Sequence, residues 1–124
     1  MNAIEDVLAE RQRQIEVEGF SETFDDKNDE GELAAAALAY IDNYLSRAWM
    51  ILNLRHGLER YQRAPPPKRW PRTFLFFWKP KTPRYDLVRA AALLIAEIDR
   101  IDRAEVVAAE RRRTHEQKAE VSWM

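Results

Sequence analysis

The 124-residue chain contains no cysteine, only three glycines and no long hydrophobic run. The absence of cysteine excludes disulfide bonds, zinc–thiolate centres and cysteine nucleophiles. The longest wholly apolar run, residues 33–41, is far shorter than the roughly 20 residues needed to cross a bilayer. The N-terminus leads directly into charged residues and shows no signal peptide, so we expect a cytoplasmic protein without a membrane partner.

Neither sign of charge dominates, because 20 basic side chains face 21 acidic ones and the formal net charge is −1. A balanced charge gives no general attraction to a nucleic-acid backbone, so we expect neither DNA nor RNA as a partner. The sequence also lacks a Gly-rich phosphate loop, a Gly-x-Ser-x-Gly motif and a plausible Ser/His/Asp set. Any bound phosphate must therefore be held by cationic side chains and a metal ion.

Glycines and prolines divide the chain into three segments with helical periodicity. These segments cover residues 2–19, about 30 to the low sixties, and about 85–116, and no useful strand-like alternation occurs. The pattern predicts one all-α domain spanning residues 1–124. The charged run after residue 103 predicts that residues 104–124 form a solvated or frayed helical tail.

All six prolines lie between Pro65 and Pro83, inside a connection that spans residues 63–84. This connection interleaves five aromatic residues, Trp70, Phe74, Phe76, Phe77 and Trp78, with six basic ones, Lys68, Arg69, Arg72, Lys79, Lys81 and Arg84. Because disordered segments are poor in aromatic residues, we interpret the connection as an ordered flap. Aromatic faces can stack a nucleobase, and adjacent cations can bind phosphate. An oligomer contact or a lid over the core is the alternative interpretation.

Several carboxylates lie on faces that the apolar pattern directs towards the interior. Glu18 shares the apolar stripe of the first segment with Ile4, Leu8 and Ile15, whereas Glu16 points outwards. Since charged groups are seldom buried alone, an inward carboxylate has either a paired cation or a bound metal.

The second and third segments carry further candidates. Glu32 opens a face of small residues that also includes Asn43; this face either lines a cleft or lets two helices approach closely. Asp86 and Glu97 are eleven residues apart, close to three helical turns, and so share one face. Converging carboxylates suit Mg²⁺ or Mn²⁺. The alternatives are a favourable N-terminal helix charge at Asp86 and arginine ion pairs at Glu18 and Glu97.

Several blocks of sequence resemble a phage branch of the MazG-like all-α nucleotide pyrophosphohydrolases, the branch named for dATP/dGTP diphosphohydrolase activity. The blocks are ERQRQIEVEGF at 10–20, DD at 25–26, GELAAAALAY at 31–40, WP at 70–71, WKP at 78–80 and RYDLVRAAALLIAEIDR at 84–100. The resemblance extends to a subset, MazZ, associated with phages that replace adenine by 2-aminoadenine. It implies a small antiparallel helical bundle, with the flap between the second and third main helices, in the host cytoplasm if phage-encoded.

The resemblance also implies an activity, the hydrolysis of a purine nucleoside triphosphate to the monophosphate and pyrophosphate with Mg²⁺ or Mn²⁺. It favours dGTP, with GTP second, as the substrate, and a homo-oligomer, a tetramer or a dimer. The superfamily carries Glu-x-x-Glu and Glu-x-x-Asp motifs. Here Ala35 stands three residues after Glu32, and Arg89 three residues after Asp86, so half of the carboxylate tetrad is absent.

Site roles follow from combining the resemblance with the inward carboxylates. The expected metal ligands are Glu18, Glu32 and Asp86, and one of these or Glu97 is the expected base. The expected phosphate-binding residues are Lys79, Arg84 and Arg89. Trp70 and Trp78 are the expected stacking residues, and Asn43 is a candidate hydrogen-bond partner for the base. A broad house-cleaning pyrophosphatase and a non-catalytic nucleotide-binding or helical interaction protein are the alternatives.

Overall fold

The computed structural model describes residues 2–123, and for Leu75, Phe76, Ser122 and Trp123 it describes the backbone only. Within that range every regular element is helical, which confirms the all-α prediction. The elements are α1 (Ala3–Glu16), α2 (Glu22–Lys27), α3 (Glu32–Arg47), α4 (Trp49–Asn53), α5 (Gly57–Gln62), a 3₁₀ helix (Arg72–Phe77) and α6 (Pro83–Trp123). The side chain of Phe76, expected in the flap, lies outside what the structure describes.

The first helix packs on a different face from the one predicted. Its buried side chains are Glu10 and Gln14, whereas Ile4 and Leu8 are 75% and 58% exposed. The predicted inward stripe is therefore wrong for a single chain, because buried polar side chains with partners replace the apolar ones. The helix begins where the Asn2 side chain accepts a hydrogen bond from the Glu5 N–H at 2.9 Å.

Helices α3 and α6 form the core through small side chains. Ala36, Ala37 and Ala39 of α3 are buried, as are Ala90 and Ala96 of α6. Small residues let two helix backbones approach closely, and the remaining space is filled by larger residues from the chain around them. These large buried side chains include Phe20, Leu33, Tyr40, Trp70, Phe74 and Leu93.

The polar contacts fix the directions of the three long helices. Along α1 and α6, Asp6 pairs with Arg84 and Gln14 with the Arg89 carbonyl, so these helices run the same way. Helix α3 runs in the opposite sense. Asp26, just before α3, contacts Arg103 of α6, whereas Tyr40, farther along α3, contacts the earlier Arg89. The bundle therefore contains an antiparallel α3–α6 pair with α1 parallel to α6.

The second predicted segment is broken into three helices rather than one. The chain becomes extended at Leu54, and His56 has a positive φ of 55°. The following Gly57 packs so closely that an added Cβ would lie 1.9 Å from the Met50 carbonyl oxygen. Only glycine permits this approach between α4 and α5, and the approach redirects the chain towards the flap.

The last helix is longer than predicted. It continues from Pro83 to Trp123 without interruption, and beyond residue 104 its side chains are mostly exposed. The tail is therefore solvated and helical. Among the described residues, no helix combines the length and the apolar character needed to span a bilayer.

Exposed apolar residues on α6 generate a prediction about assembly. Leu94, Ile98 and Ile101 are 40%, 58% and 41% exposed and recur at helical spacing. An apolar stripe of this kind is typical of a protein–protein contact, and we expect the partner to be a second copy of the chain. We expect a tetramer or a dimer at micromolar concentration, and we expect Ile98→Glu to lower the mass measured by sedimentation equilibrium.

The control for this prediction is Gln117→Glu, which adds the same charge at an exposed site in the tail of the same helix. It should leave the mass unchanged. A monomer mass for the unaltered chain would contradict the prediction.

Candidate functional site

A buried arginine lies where α1, α3, α6 and the flap meet. Arg89 is 5% exposed and donates to the Tyr40 hydroxyl at 2.8 Å and to the Lys79 carbonyl. Its guanidinium carbon lies 4.9 Å from the Tyr40 ring centroid and 4.8 Å from that of Tyr85. Cation–π contacts and neutral acceptors thus replace much of its lost hydration. In this conformation Arg89 positions other groups and is not open to a phosphate.

The Tyr40 hydroxyl connects this arginine to the flap. It donates to the Phe77 carbonyl at 3.1 Å and accepts from the Lys79 N–H at 3.1 Å as well as from Arg89. Burial raises the pKa of Tyr40, although the charge of Arg89 and the Lys79 N–H act in the opposite direction. The hydroxyl therefore stays protonated and holds the flap backbone against α3.

Glu10 supplies the negative charge of the cluster. It is 5% exposed, and its carboxylate accepts from Arg13 Nε at 2.7 Å and Nη2 at 2.9 Å and from the Tyr85 hydroxyl at 3.0 Å. Its Oε2 lies 3.9 Å from Arg89 Nε. Burial alone would raise the pKa of Glu10, but hydrogen bonds from Arg13 and Tyr85 and the nearby positive charges lower it below its ordinary value.

Arg13 joins Glu10 to a second carboxylate, Glu18. The Arg13 Nη1 lies 3.1 Å from Glu18 Oε1, and Lys79 of the flap reaches the same oxygen at 3.4 Å. The Glu18 side chain is 10% exposed while Glu16 is exposed, as predicted. The reason differs from the predicted helical phase, because α1 ends at Glu16 and the turn that follows directs Glu18 inwards.

Asp86 is fully buried, and both of its carboxylate oxygens accept hydrogen bonds from other groups of the protein. It accepts from the Tyr61 hydroxyl at 2.7 Å and from the Lys81 N–H at 3.0 Å, one on each oxygen. Burial raises its pKa, although these donors and the charge of Arg89 oppose the shift. Asp86 thus ties α5 and the end of the flap to the first turn of α6.

The other predicted acids and the amide are spread over separate places. Glu32 accepts from the Glu30 N–H at 2.7 Å at the start of α3. Glu97 is buried and pairs with Arg100, the alternative considered for it from the sequence. Asn43 is fully buried, and its Oδ1 accepts from Arg47 at 2.6 Å.

The flap forms an aromatic roof over the charged cluster. Trp78 stacks on Tyr40 with ring centroids 4.9 Å apart and an interplanar angle of 17°. Trp70 meets Tyr40 edge-on at 5.5 Å, and its indole N–H donates to the Phe74 carbonyl at 2.8 Å. Both tryptophans are therefore packed against the protein. Arg84 lies away from this roof, with its side chain 63% exposed and paired with Asp6.

Beneath the roof lies a small cavity of about 20 Å³. Its polar lining consists of Arg13, Gln14, Glu18 and Arg89, and its apolar lining of Phe20, Ala36, Tyr40, Trp70, Phe74, Phe77 and Leu93. This volume suits one water molecule. Pockets that hold a small-molecule ligand measure roughly 300–1,000 Å³, so a nucleotide requires the roof to move outwards.

The predicted metal ligands do not come together in the described part of the chain. No group of three or more acidic or histidine side chains able to hold a metal ion occurs there. Glu18 shares Arg13 with Glu10, Asp86 is enclosed by Tyr61 and Lys81, and Glu32 binds a backbone N–H. This donor arrangement does not fit a metal held by the predicted trio.

Residues missed from the sequence form much of the cluster. Glu10, Arg13 and Gln14 are spaced so that they share one face of α1, a different face from its apolar stripe. A second buried pair joins Arg11 to Asp25 at 2.6 Å, and burial raises the pKa of Asp25 despite Arg11. The i, i+3 and i, i+4 spacing of these polar residues along α1 was the available signal.

Comparison with known proteins identified no relative of this chain. No protein-family model matches the chain, and neither the curated proteins nor the solved structures contain a match.

The geometry at Glu10 generates a pH-dependent prediction. At pH 7, Glu10→Gln removes charge-assisted hydrogen bonds and should lower the free energy of unfolding by about 1.5–3 kcal/mol. Because the folded pKa lies below the ordinary value of 4.5, this stabilisation is complete above pH 4.5 and lost as pH falls through the folded pKa. Urea unfolding at pH 7, 5 and 3.5 measures the difference between variant and parent.

Glu5→Gln on the exposed surface of α1 is the matched control and should change little at any of these pH values. A Glu10→Gln difference that stays constant down to pH 3.5 would show that the carboxylate charge is not what stabilises the fold.

Proposed function

We propose that the chain is a nucleoside triphosphate pyrophosphohydrolase of the MazG-like type. One observation carries the proposal: aromatic side chains and cationic side chains line the same cavity. Tyr40 and the flap rings offer apolar faces, while Arg13, which lines the same cavity, offers positive charge. This combination complements a nucleotide, whose base stacks and whose phosphates are anionic. The sequence blocks that resemble the MazG-like family support the same proposal.

In the proposed complex the base stacks under the roof, and the triphosphate extends towards Arg13 and Lys79. These two cations are 32% and 51% exposed at the side chain and already meet at Glu18. Arg89 acts as a positioning residue, because its guanidinium is held by Tyr40 and Lys79 of the roof. Arg84 can contribute only from outside the cavity.

Glu18 is the proposed general base, because it is the carboxylate that lines the cavity. It accepts a proton from the water that attacks the triphosphate, the bond between the α and β phosphates breaks, and monophosphate and pyrophosphate leave. A requirement for Mg²⁺ or Mn²⁺ belongs to the proposal, because Mg²⁺ is often held by one or two carboxylates together with substrate phosphates. Since the predicted ligands are separated, we assign no step to the metal.

The proposed substrate is a purine deoxynucleotide, preferably dGTP, with GTP as the second substrate. Its product, dGMP, is the precursor that 2-aminoadenine nucleotide synthesis requires in phages with that DNA. The separated carboxylates favour one alternative in particular, a protein that binds a nucleotide without cleaving it. A house-cleaning pyrophosphatase without base preference is the other alternative.

A turnover panel tests the reaction. With Mg²⁺ or Mn²⁺ present, we expect dGTP to yield dGMP and pyrophosphate with kcat/KM at least tenfold above that for dCTP or dTTP. Chromatography of the nucleotides together with a pyrophosphate assay measures both products. Binding without turnover would favour the alternative of a protein that sequesters a nucleotide. Equal turnover of all the nucleotides would favour the house-cleaning pyrophosphatase. Release of orthophosphate would exclude the proposed reaction.

The cationic rim of the cavity generates a second test. Lys79→Met should raise KM for dGTP about tenfold, because it removes one positive charge beside the expected triphosphate while keeping the length of the side chain. Lys68→Met, an exposed flap substitution of the same kind, is the control and should leave KM unchanged. Equal effects of the two substitutions would show that the site of phosphate binding lies elsewhere.

A further inference from the structure

Gln14, in the cavity wall, carries one polar atom that the fold leaves unpaired. Gln14 is 1% exposed, and its Nε2 donates to Glu10 Oε2 and to the Arg89 carbonyl oxygen, both at 3.3 Å. Its Oε1 has no hydrogen-bond partner among the described residues. A buried acceptor left without a donor costs free energy, so such a group is rarely retained without a use.

The orientation of this amide is set by its neighbours. Both groups that meet Nε2 are acceptors, a carboxylate and a backbone carbonyl. Turning the amide over would bring Oε1 against two acceptors, so the observed orientation is the stable one. Since Gln14 lines the cavity and its Nε2 is engaged elsewhere, Oε1 is the atom left to face a ligand.

The surroundings of Oε1 define the kind of ligand it suits. Rings from Phe20, Tyr40, Trp70, Phe74 and Phe77 line the same cavity, together with Leu93 and Ala36. This lining favours a flat aromatic group over a sugar or a phosphate. An acceptor at the wall of such a space suits an N–H donor in the plane of that group.

We infer that Gln14 Oε1 reads the base of the nucleotide by accepting from the edge of a guanine. This inference rests on the proposed function and deepens it. A carbonyl oxygen has two lone pairs, and guanine offers two adjacent donors, N1–H and the 2-amino group. Adenine has an acceptor at N1 and no 2-amino group, so it leaves Oε1 unsatisfied and buried. Without a nucleotide, the cavity has room for one water molecule as the donor.

The experiment compares dGTP, dITP and dATP as substrates of the full-length protein and of Gln14→Met. Binding of dGMP, dIMP and dAMP by calorimetry is a second measurement. The parent should favour dGTP over dATP at least tenfold in kcat/KM, with dITP, which keeps N1–H and lacks the 2-amino group, in between. Methionine is similar in size to glutamine and lacks the acceptor. The Gln14→Met variant should therefore have kcat/KM values for dGTP and dATP within about threefold of each other.

The matched control is Gln12→Met, two residues away on the exposed side of α1, which should keep the parent's preference. If Gln14→Met keeps the preference for dGTP, or if the parent turns over dGTP and dATP equally, the role of Gln14 is refuted while the proposed function stands. If the parent neither binds nor cleaves any of these nucleotides, both proposals are refuted. Should Gln14→Met fail to fold, equal use of dITP and dGTP by the parent refutes the inference without the variant.

Discussion

The structure depends on the burial of one guanidinium group. Arg89 lies on α6, yet its partners come from α3, from the flap and, through Glu10, from α1. A buried cation is tolerated only when its charge is compensated, so the packing of α6 depends on all of these elements. This requirement gives the small bundle a specific arrangement that its alanine-rich helix faces alone would not define.

The sequence predicted which segments are helical better than it predicted which side of a helix is buried. The all-α class followed from periodicity and from the positions of glycine and proline, whereas Glu18 points inwards because of the turn after α1 rather than its helical phase. The face of α1 did not, because an apolar stripe was assumed to point inwards, whereas the interior next to Arg89 takes Glu10 and Gln14 instead. Periodicity gives the geometry of a helix, but it does not show which side meets a charged neighbour.

The candidate site was predictable in its composition but not in its connections. Aromatic and basic residues were expected in the flap, and Trp78, Trp70 and Lys79 do lie near the cavity. Spacing along a helix could not show that Asp86 is enclosed by Tyr61, a residue 25 positions away, or that Glu18 meets Arg13. The contact of Tyr61 with Asp86 depends on how α5 and the flap return to α6, and the breaks at Leu54 and Gly57 that cause this return leave only a weak signal in the sequence. The contact of Glu18 with Arg13 depends on the turn that follows α1.

The 41 residues of α6 have a consequence for how the molecule moves in solution. At 1.5 Å per residue the helix is roughly 60 Å long. Arg103 of this helix contacts Asp26 at 2.9 Å, and beyond residue 104 most of its described side chains are exposed. A chain with a rod projecting from one end tumbles anisotropically and has a larger frictional coefficient than a sphere of equal mass. The apparent mass that gel filtration gives for it therefore exceeds its true mass.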